Sequence, residues 1–507
     1  MVERHFGCNG EQKTTAQNVV RATASFSITL RLRIPNYPGN LSRILARFGE
    51  TGALVAEVRL LSSDFQYTVR DITIHCRSEN HAQDIVNLVQ ELPEVKLLAW
   101  QDDTFAMHLG GKLQITPRAL LSHRDALSRA YTPGVARVCL AIHKNPDDAF
   151  VFTLKKNCVA VVSDGSAVLG LGNIGPLAAI PVMEGKAMLF KQFGGIDAYP
   201  LCLSTQDPDE IVTAVKQIAP VFGGINLEDI SAPRCFEIEQ RLSAELDIPV
   251  FHDDQHGTAV VVLAALLNAL KVVGKKLADL KVVVNGFGAG GVAAAKMLYK
   301  AGVRNIIPFD SLGAIYRGRR NGMNPVKEEL IKVLNPDNEQ GSLSQALKGA
   351  DFFLGVSKPN VLTVDDVKGM AKGAIVFAMA NPVPEIMPDQ IKGLAAIVAS
   401  GRSDYPNQVN NVLCFPGIFR GALNCRARAI TENMKLAAAR AIASCVDEKR
   451  LGPDCIIPGI FEPEVLRRVS AAVEKAAFED GVARELKPGA AAAGGLPLPP
   501  WDAEKAD

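Results

Sequence analysis

The stretch from Lys281 to Asp310 constrains the fold more than any other. An uninterrupted strand pattern, Lys281 to Val284, runs into Gly286-Phe-Gly288-Ala-Gly-Gly291, and a helical pattern through Val292, Ala295, Leu298 and Tyr299 follows at once. A second strand pattern, Asn305 to Phe309, ends in Asp310, 24 residues after Gly286. These are the parts of a βαβ unit that holds a dinucleotide. Gly286 makes the tight turn, Gly288 lets the backbone approach the pyrophosphate, Gly291 allows helix packing, and Asp310 accepts the ribose hydroxyls. An earlier match, Gly170-Leu-Gly172-Asn-Ile-Gly175, is separated from its strand by Asp164 to Leu169, and the acid at matching distance, Asp197, precedes the next strand. We therefore expect a dinucleotide at 286–310 and a tight loop, near a substrate, at 170–175. Asp351 to Val356 and Ala374 to Ala380 read as further buried strands of the same doubly wound parallel sheet. Ser357 and Asn381 stand at their ends, where such a sheet places ligand-binding groups.

With 507 residues the chain has room for about three domains. The first, 26–100, shows alternating strand patterns at Phe26–Ile34, Leu54–Leu61 and Tyr67–Cys76, with helices opening at Pro38-Gly39 and Glu79 and a last strand near Val95–Trp100. The order β-α-β-β-α-β is a ferredoxin-like α+β module. Its Pro-Gly turn resembles the ligand loop of ACT domains, which implies a small-molecule effector. The second domain is expected at 105–257 and the third, Rossmann-type, at 258–480, with a disordered Ala/Gly/Pro tail at 488–507. A net charge of +1 offers no case for nucleic acid or an anionic membrane, and ten scattered cysteines without a C-x-x-C suit a reducing cytosol. The run Thr258–Val273, interrupted by Asn268 and Lys271, reads as a buried helix too short to span a bilayer. Residues 1–25 lack the apolar core of a secretion signal, so a cytoplasmic protein is expected.

The chemistry concentrates in two acidic stretches, Phe222–Asp229 (FGGINLED) and Phe251–Gly257 (FHDDQHG). If the fold brings Glu228 and Asp229 to Asp253 and Asp254, four like charges need a cation, and all-oxygen ligation suits Mg²⁺ or Mn²⁺. Two unrelated acidic turns are the alternative. Lys186 lies among Val182, Met183, Leu189, Phe190 and Phe193 on a helix expected from Pro181 to Phe193. Burial there would lower its pKa and make the neutral amine a base; snorkelling to the surface is the alternative. Tyr131 precedes a Thr-Pro-Gly turn and is either a packing residue or a site residue. Asn410-Asn411 supplies amide donors for a carboxylate.

From Tyr131 to Arg428 the chain resembles malic enzymes of the bacterial type. AYTPGVA, SDGSAVLGLGNIG, PVMEGK, FGGINLEDI, IPVFHDDQHGTA, the glycine loop, ANPVPEI and GRSDYPNQVNNVLCFPGIFRGAL occur in family order. The resemblance implies oxidative decarboxylation of L-malate to pyruvate and CO₂ with reduction of NAD, NADP being a second possibility. It makes Lys186 the general base and Tyr131 the general acid, with Glu228, Asp229 and Asp254 as metal ligands and Asp253 as a supporting carboxylate. Asn381 and Asn411 match positions that contact substrate. It also implies a homo-oligomer, dimer or tetramer. There are departures: Ser166-Ala167 stands where animal members carry a malate-gripping arginine, and Leu312 stands where many relatives carry a lysine. Leu312 with Asp310 favours NAD, whereas Arg317, Arg319 and Arg320 could meet a 2′-phosphate. Three rival readings are a malolactic enzyme, a zinc hydrolase using His252 and His256, and an idle amino-acid sensor. For the hydrolase, a strand entering His252 and the following Gly257 argue against a helix at 252–256.

Overall fold

The computed structural model describes residues 22–168 and 170–484. The expected tail and most of the N-terminal 25 residues lie outside them. The chain divides into two compact units, 1–112 and 113–507.

In the first unit, β1 (Thr23–Pro35), β2 (Leu54–Ser63), β3 (Tyr67–Cys76) and β4 (Lys96–Asp102) form an antiparallel sheet in the order β2-β3-β1-β4. Alternation along β1 puts Ile28, Leu30, Leu32 and Ile34 on one face, where they meet Ile44 and Phe48 of helix Asn40–Glu50 and Ile85 and Val89 of helix Glu79–Glu91. The ferredoxin-like order follows from this two-layer burial. Gly39 enters the first helix at φ 85°, a left-handed conformation that a side chain would strain.

The second unit holds two parallel sheets. β5 (Cys158–Ser163), β6 (Asp197–Cys202), β7 (Gly224–Leu227) and β8 (Val250–His252) lie in the order β6-β5-β7-β8. β9 (Lys281–Asn285), β10 (Asn305–Asp310), β11 (Gly313–Ala314), β12 (Phe352–Gly355), β13 (Ile375–Ala378) and β14 (Ile397–Ser400) lie in the order β11-β10-β9-β12-β13-β14, with only β11 antiparallel. This is the 3-2-1-4-5-6 order of dinucleotide-binding sheets, whose crevice lies outside the carboxyl ends of the strands. Every residue of β5, β12 and β13 is buried, which is why these strands read as unbroken apolar runs.

One core joins the two sheets: Val159, Val161 and Phe251 share it with Val282, Val284 and Leu354. Helix Thr258–Val273 runs through it, packed on helices Ala289–Ala301 and Glu432–Ser444. Two expectations need correction here. Residues Asp253–Gly257 form a π-helical turn leading straight into that helix, so a helical segment does exist where His252 and Gly257 argued against one. The combined segment, Asp253–Val273, is long and apolar enough to cross a membrane, contrary to the expected short run, but most of it is buried inside the fold, where it serves as a core helix. A third correction concerns the Lys186 helix, which begins at Gly175, so that Pro181 lies inside it.

Candidate active site

The two acidic stretches meet because β7 and β8 are neighbours. Glu228 and Asp229 follow β7 directly, and Asp253 and Asp254 follow β8 on the π-turn. The helix Gly175–Gly194 brings Lys186 to the same point. Phe190, one turn on, anchors it against Phe415 at 4.7 Å and Phe419 at 5.3 Å between ring centroids. Lys186 Nζ donates to Asp253 Oδ2 at 2.6 Å and lies 2.8 Å from Glu228 Oε1 and 4.2 Å from the Phe415 ring centre. Its side chain is only 10% exposed, so snorkelling is ruled out.

The expected direction of its pKa is wrong, however. Burial does push it down, but Asp253 and Glu228 outweigh burial and hold the ammonium protonated above the ordinary lysine value. The acids are also shifted upward, which for a carboxyl favours the neutral form. Burial, then the neighbouring Asp254, Asp253 and Asp229, raise Glu228 well above the ordinary range against the pull of Lys186. Burial and Asp254 push Asp229 up to about 8. Asp253 is also raised by burial despite Lys186.

One carboxylate oxygen from each of Glu228, Asp229 and Asp254 lies within 4.8 Å of the others. Asn226 Nδ2 steadies Glu228 Oε2 at 2.9 Å, and the Asp229 N–H donates to Asp254 Oδ2 at 2.9 Å. Among the described residues, Asp229 Oδ2 and Asp253 Oδ1 are buried without a hydrogen-bond partner. Orphaned buried oxygens, mutual repulsion and an all-oxygen donor set fit a hard divalent ion. Asp253 instead pairs with Lys186. Its Oδ1 would lie 2.0 Å from a side chain at position 257, which explains Gly257.

Asn411 Nδ2 does reach a carboxylate, but it is that of Asp253, at 3.2 Å. Asn381 is exposed at the end of β13, and its carbonyl oxygen lies 2.7 Å from where a side chain on Gly170 would begin, so the 170–175 loop abuts the nucleotide-binding sheet. Tyr131 is 66% exposed, and among the described residues its hydroxyl makes no hydrogen bond, to this cluster or elsewhere.

At the glycine loop, side chains at 286 and 291 would strike Val356 O at 2.4 Å and Gly286 O at 2.0 Å, whereas one at 288 would meet nothing within 4 Å. The space beside Gly288 is open, which is what close approach of a pyrophosphate to this motif needs. Ser357 Oγ accepts from Asn285 Nδ2 at 2.8 Å, and its N–H donates to the buried Glu385. Asp310 departs from expectation. Arg319 Nη2 reaches both its oxygens, at 2.7 and 2.9 Å, and Lys327 Nζ reaches Oδ2 at 2.7 Å, so its charge is already matched. Burial opposes ionisation of Asp310, yet these two cations hold its carboxyl below the ordinary value. Arg317 is spent on the carbonyls of Asn335 and Pro336, and Arg320 stays exposed.

His252 and His256 do not converge on a shared site. His256 Nε2 meets Glu239 Oε1 at 2.7 Å, and Lys435 Nζ meets its Nδ1 at 3.0 Å, so both ring nitrogens are engaged. Glu239 was missed at the sequence level, although it lies among the buried Cys235, Ile238 and Leu242 of its helix, the same signal that singled out Lys186.

A doubly wound nucleotide-binding sheet beside a buried lysine–carboxylate centre defines an oxidoreductase of the dinucleotide-dependent α/β class. Residues 110–243 match the family described as malic enzyme, N-terminal domain, and residues 255–479 match malic enzyme, NAD binding domain. The chain belongs to the malic enzyme family. It is 57% identical over 462 residues to an NAD-dependent malic enzyme of Geobacillus stearothermophilus, covering 91% of this chain and 96% of that one. It is 56% identical over 384 residues to a bifunctional malic/malolactic enzyme of Bacillus subtilis, covering 75% and 94%. The crystal structure of an NAD-dependent malic enzyme from Thermotoga maritima is similar at 50% identity and a TM-score of 0.71, covering 74% of this chain and 99% of that one.

Proposed function

We propose that this chain is an NAD-dependent malic enzyme that oxidises L-malate at C2 and releases pyruvate and CO₂. The observation that carries the reading is the buried contact of Lys186 with Asp253 and with Glu228, the latter one of three carboxylates arranged for a divalent ion. Glu228, Asp229 and Asp254 would hold Mg²⁺ or Mn²⁺, which would polarise the C2 oxygen and offset the charge of Glu228, one of the two acids that keep Lys186 protonated. Lys186, once its ammonium has passed a proton to Asp253, would take the C2 hydroxyl proton as hydride passes from C2 to NAD. Asp253 Oδ2, 2.6 Å away, is its proton partner. Asn411 orients Asp253 and borders the substrate; Asn381 and Ser357 border substrate and cofactor. Gly286, Gly288 and Gly291 seat the pyrophosphate, with Asp310 at the ribose.

Tyr131 serves as the acid that protonates C3 after CO₂ leaves. Because Tyr131 is exposed, this role needs its segment to meet a Lys186 cluster across a subunit contact, and the exposed Leu120, Leu127 and Leu140 of the same stretch of chain support a homo-oligomer. The β-α-β-β-α-β order and the left-handed Gly39 turn support an ACT-like module with a small-molecule effector. Nine described cysteines are all unpaired, which supports a cytoplasmic enzyme. No nucleic-acid or membrane partner is proposed.

Likeness to a bifunctional relative favours one second reading, malolactic conversion with NAD retained. Carbon-13 NMR of labelled L-malate incubated with protein, Mn²⁺ and NAD⁺ decides between them. Pyruvate with stoichiometric NADH is expected; lactate without free NADH overturns the proposal.

A further inference from the structure

The π-turn that carries Asp253 and Asp254 is gripped from behind by a single carboxylate. Glu239 Oε1 accepts the N–H of His252 at 3.1 Å and meets His256 Nε2 at 2.7 Å, while its Oε2 accepts from Gln255 Nε2 at 3.1 Å. Three of the five residues from His252 to His256 are therefore tied to one side chain. The two between them have other partners: Asp253 meets Lys186, and Asp254 meets the Asp229 N–H. The grip continues backwards. Lys435 is an ammonium and can only donate, so His256 Nδ1 accepts and Nε2 carries the proton given to Glu239. Lys435 is anchored on Glu432 at 2.9 Å, and Glu432 on Lys300 at 3.0 Å. π-helical turns are rare and occur mostly as single turns, frequently at functional sites.

We propose that Glu239, backed by His256 and Lys435, is a positioning residue that sets the divalent-ion affinity of the cluster by fixing where the π-turn places Asp254. This rests on the reading that Glu228, Asp229 and Asp254 take the ion. Glu239 is not one of the three candidate ligands; it acts through the turn.

The test is Mn²⁺ binding to the purified full-length protein, followed by electron paramagnetic resonance, with circular dichroism confirming the fold. Glu239→Ala is expected to raise the Mn²⁺ Kd about 10–100-fold, the usual effect of removing a supporting partner of a metal ligand. Glu239→Gln is expected to stay within about threefold, because its carbonyl oxygen can still accept from His252 and His256 and its amide can donate to a flipped Gln255. Asp254→Ala is the control for the underlying reading. If Asp254→Ala binds Mn²⁺ like the wild type, the metal assignment fails and this inference with it. If Asp254→Ala weakens binding but folded Glu239→Ala does not, the inference alone is overturned; Gln binding as weakly as Ala also overturns it. Should Glu239→Ala fail to fold, Lys435→Met decides: a rise in Kd of about threefold or more supports the chain of contacts, and an unchanged Kd refutes it.

Discussion

Replacing Lys186 by Met separates the residue's chemistry from its structural load. The methionine keeps most of the packing near Phe415 but removes a cation that lies 2.6 Å from Asp253 and 2.8 Å from Glu228. Breaking a buried ion pair by deleting one partner costs about 3–5 kcal/mol, because the other charge is left uncompensated. The second unit spans roughly 400 residues, and unfolding entropy near 2.1 cal/mol/K per residue converts that cost to a fall in Tm of about 4–6 °C. Mn²⁺ supplies replacement charge beside the same acids, so a saturating concentration should recover most of the loss. Activity should not recover: losing a general base lowers kcat by about 10²–10⁴-fold. Calorimetry with and without Mn²⁺, together with steady-state malate oxidation, reads both quantities. Turnover above about a tenth of wild type at full Mn²⁺ would refute the assignment of the base. A Tm unchanged without metal would refute the electrostatic account.

Gly257→Ala places a methyl group 2.0 Å from Asp253 Oδ1, so it should displace Asp253 from Lys186 and cut kcat about a hundredfold while circular dichroism stays native; near-normal kcat would mean the turn can yield. Arg319→Met leaves Asp310 half-compensated and should raise the NAD⁺:NADP⁺ ratio of kcat/KM by about tenfold, and an unchanged ratio would place Asp310 away from the ribose. Asp229 has a folded pKa of about 8 against an ordinary 3.8, so the fold holds its proton more tightly than the unfolded chain does. Its contribution to metal-free stability is therefore lost as pH rises from about 4 to about 8. Mn²⁺ competes with that proton, and the Mn²⁺-induced rise in Tm should be larger at pH 8 than at pH 6; equal shifts would remove Asp229 from the site.

Legibility in the sequence followed the range of the interactions. β9 and the glycine loop were readable because their determinants are contiguous: an apolar run buried on both faces, then glycines whose substitution would collide with Val356 and with Gly286 itself. Lys186 was readable because its neighbours on the helix are apolar. The direction of its pKa was not, since the two acids that reverse it come from other strands and only the parallel packing of β7 beside β8 delivers them. Gly257 looked like a helix breaker, but it is there because Asp253 leaves no room for a side chain. Asp310 looked like a free acid because Lys327, one of its two counter-ions, lies on a later helix. Glu239 carried the same stripe signal as Lys186, yet nothing local announced that the groups it binds belong to the turn after β8.

The most direct test of the central claim, that the buried acids and Lys186 form a metal-assisted malate-oxidising centre, is NADH formation from L-malate as a function of divalent ion. Purified protein with NAD⁺ and Mn²⁺ should produce NADH and CO₂ in equal amounts, stop when the ion is chelated, and resume when Mn²⁺ is restored. A rate indifferent to chelation, or no NADH from L-malate at any Mn²⁺ concentration, would contradict the account.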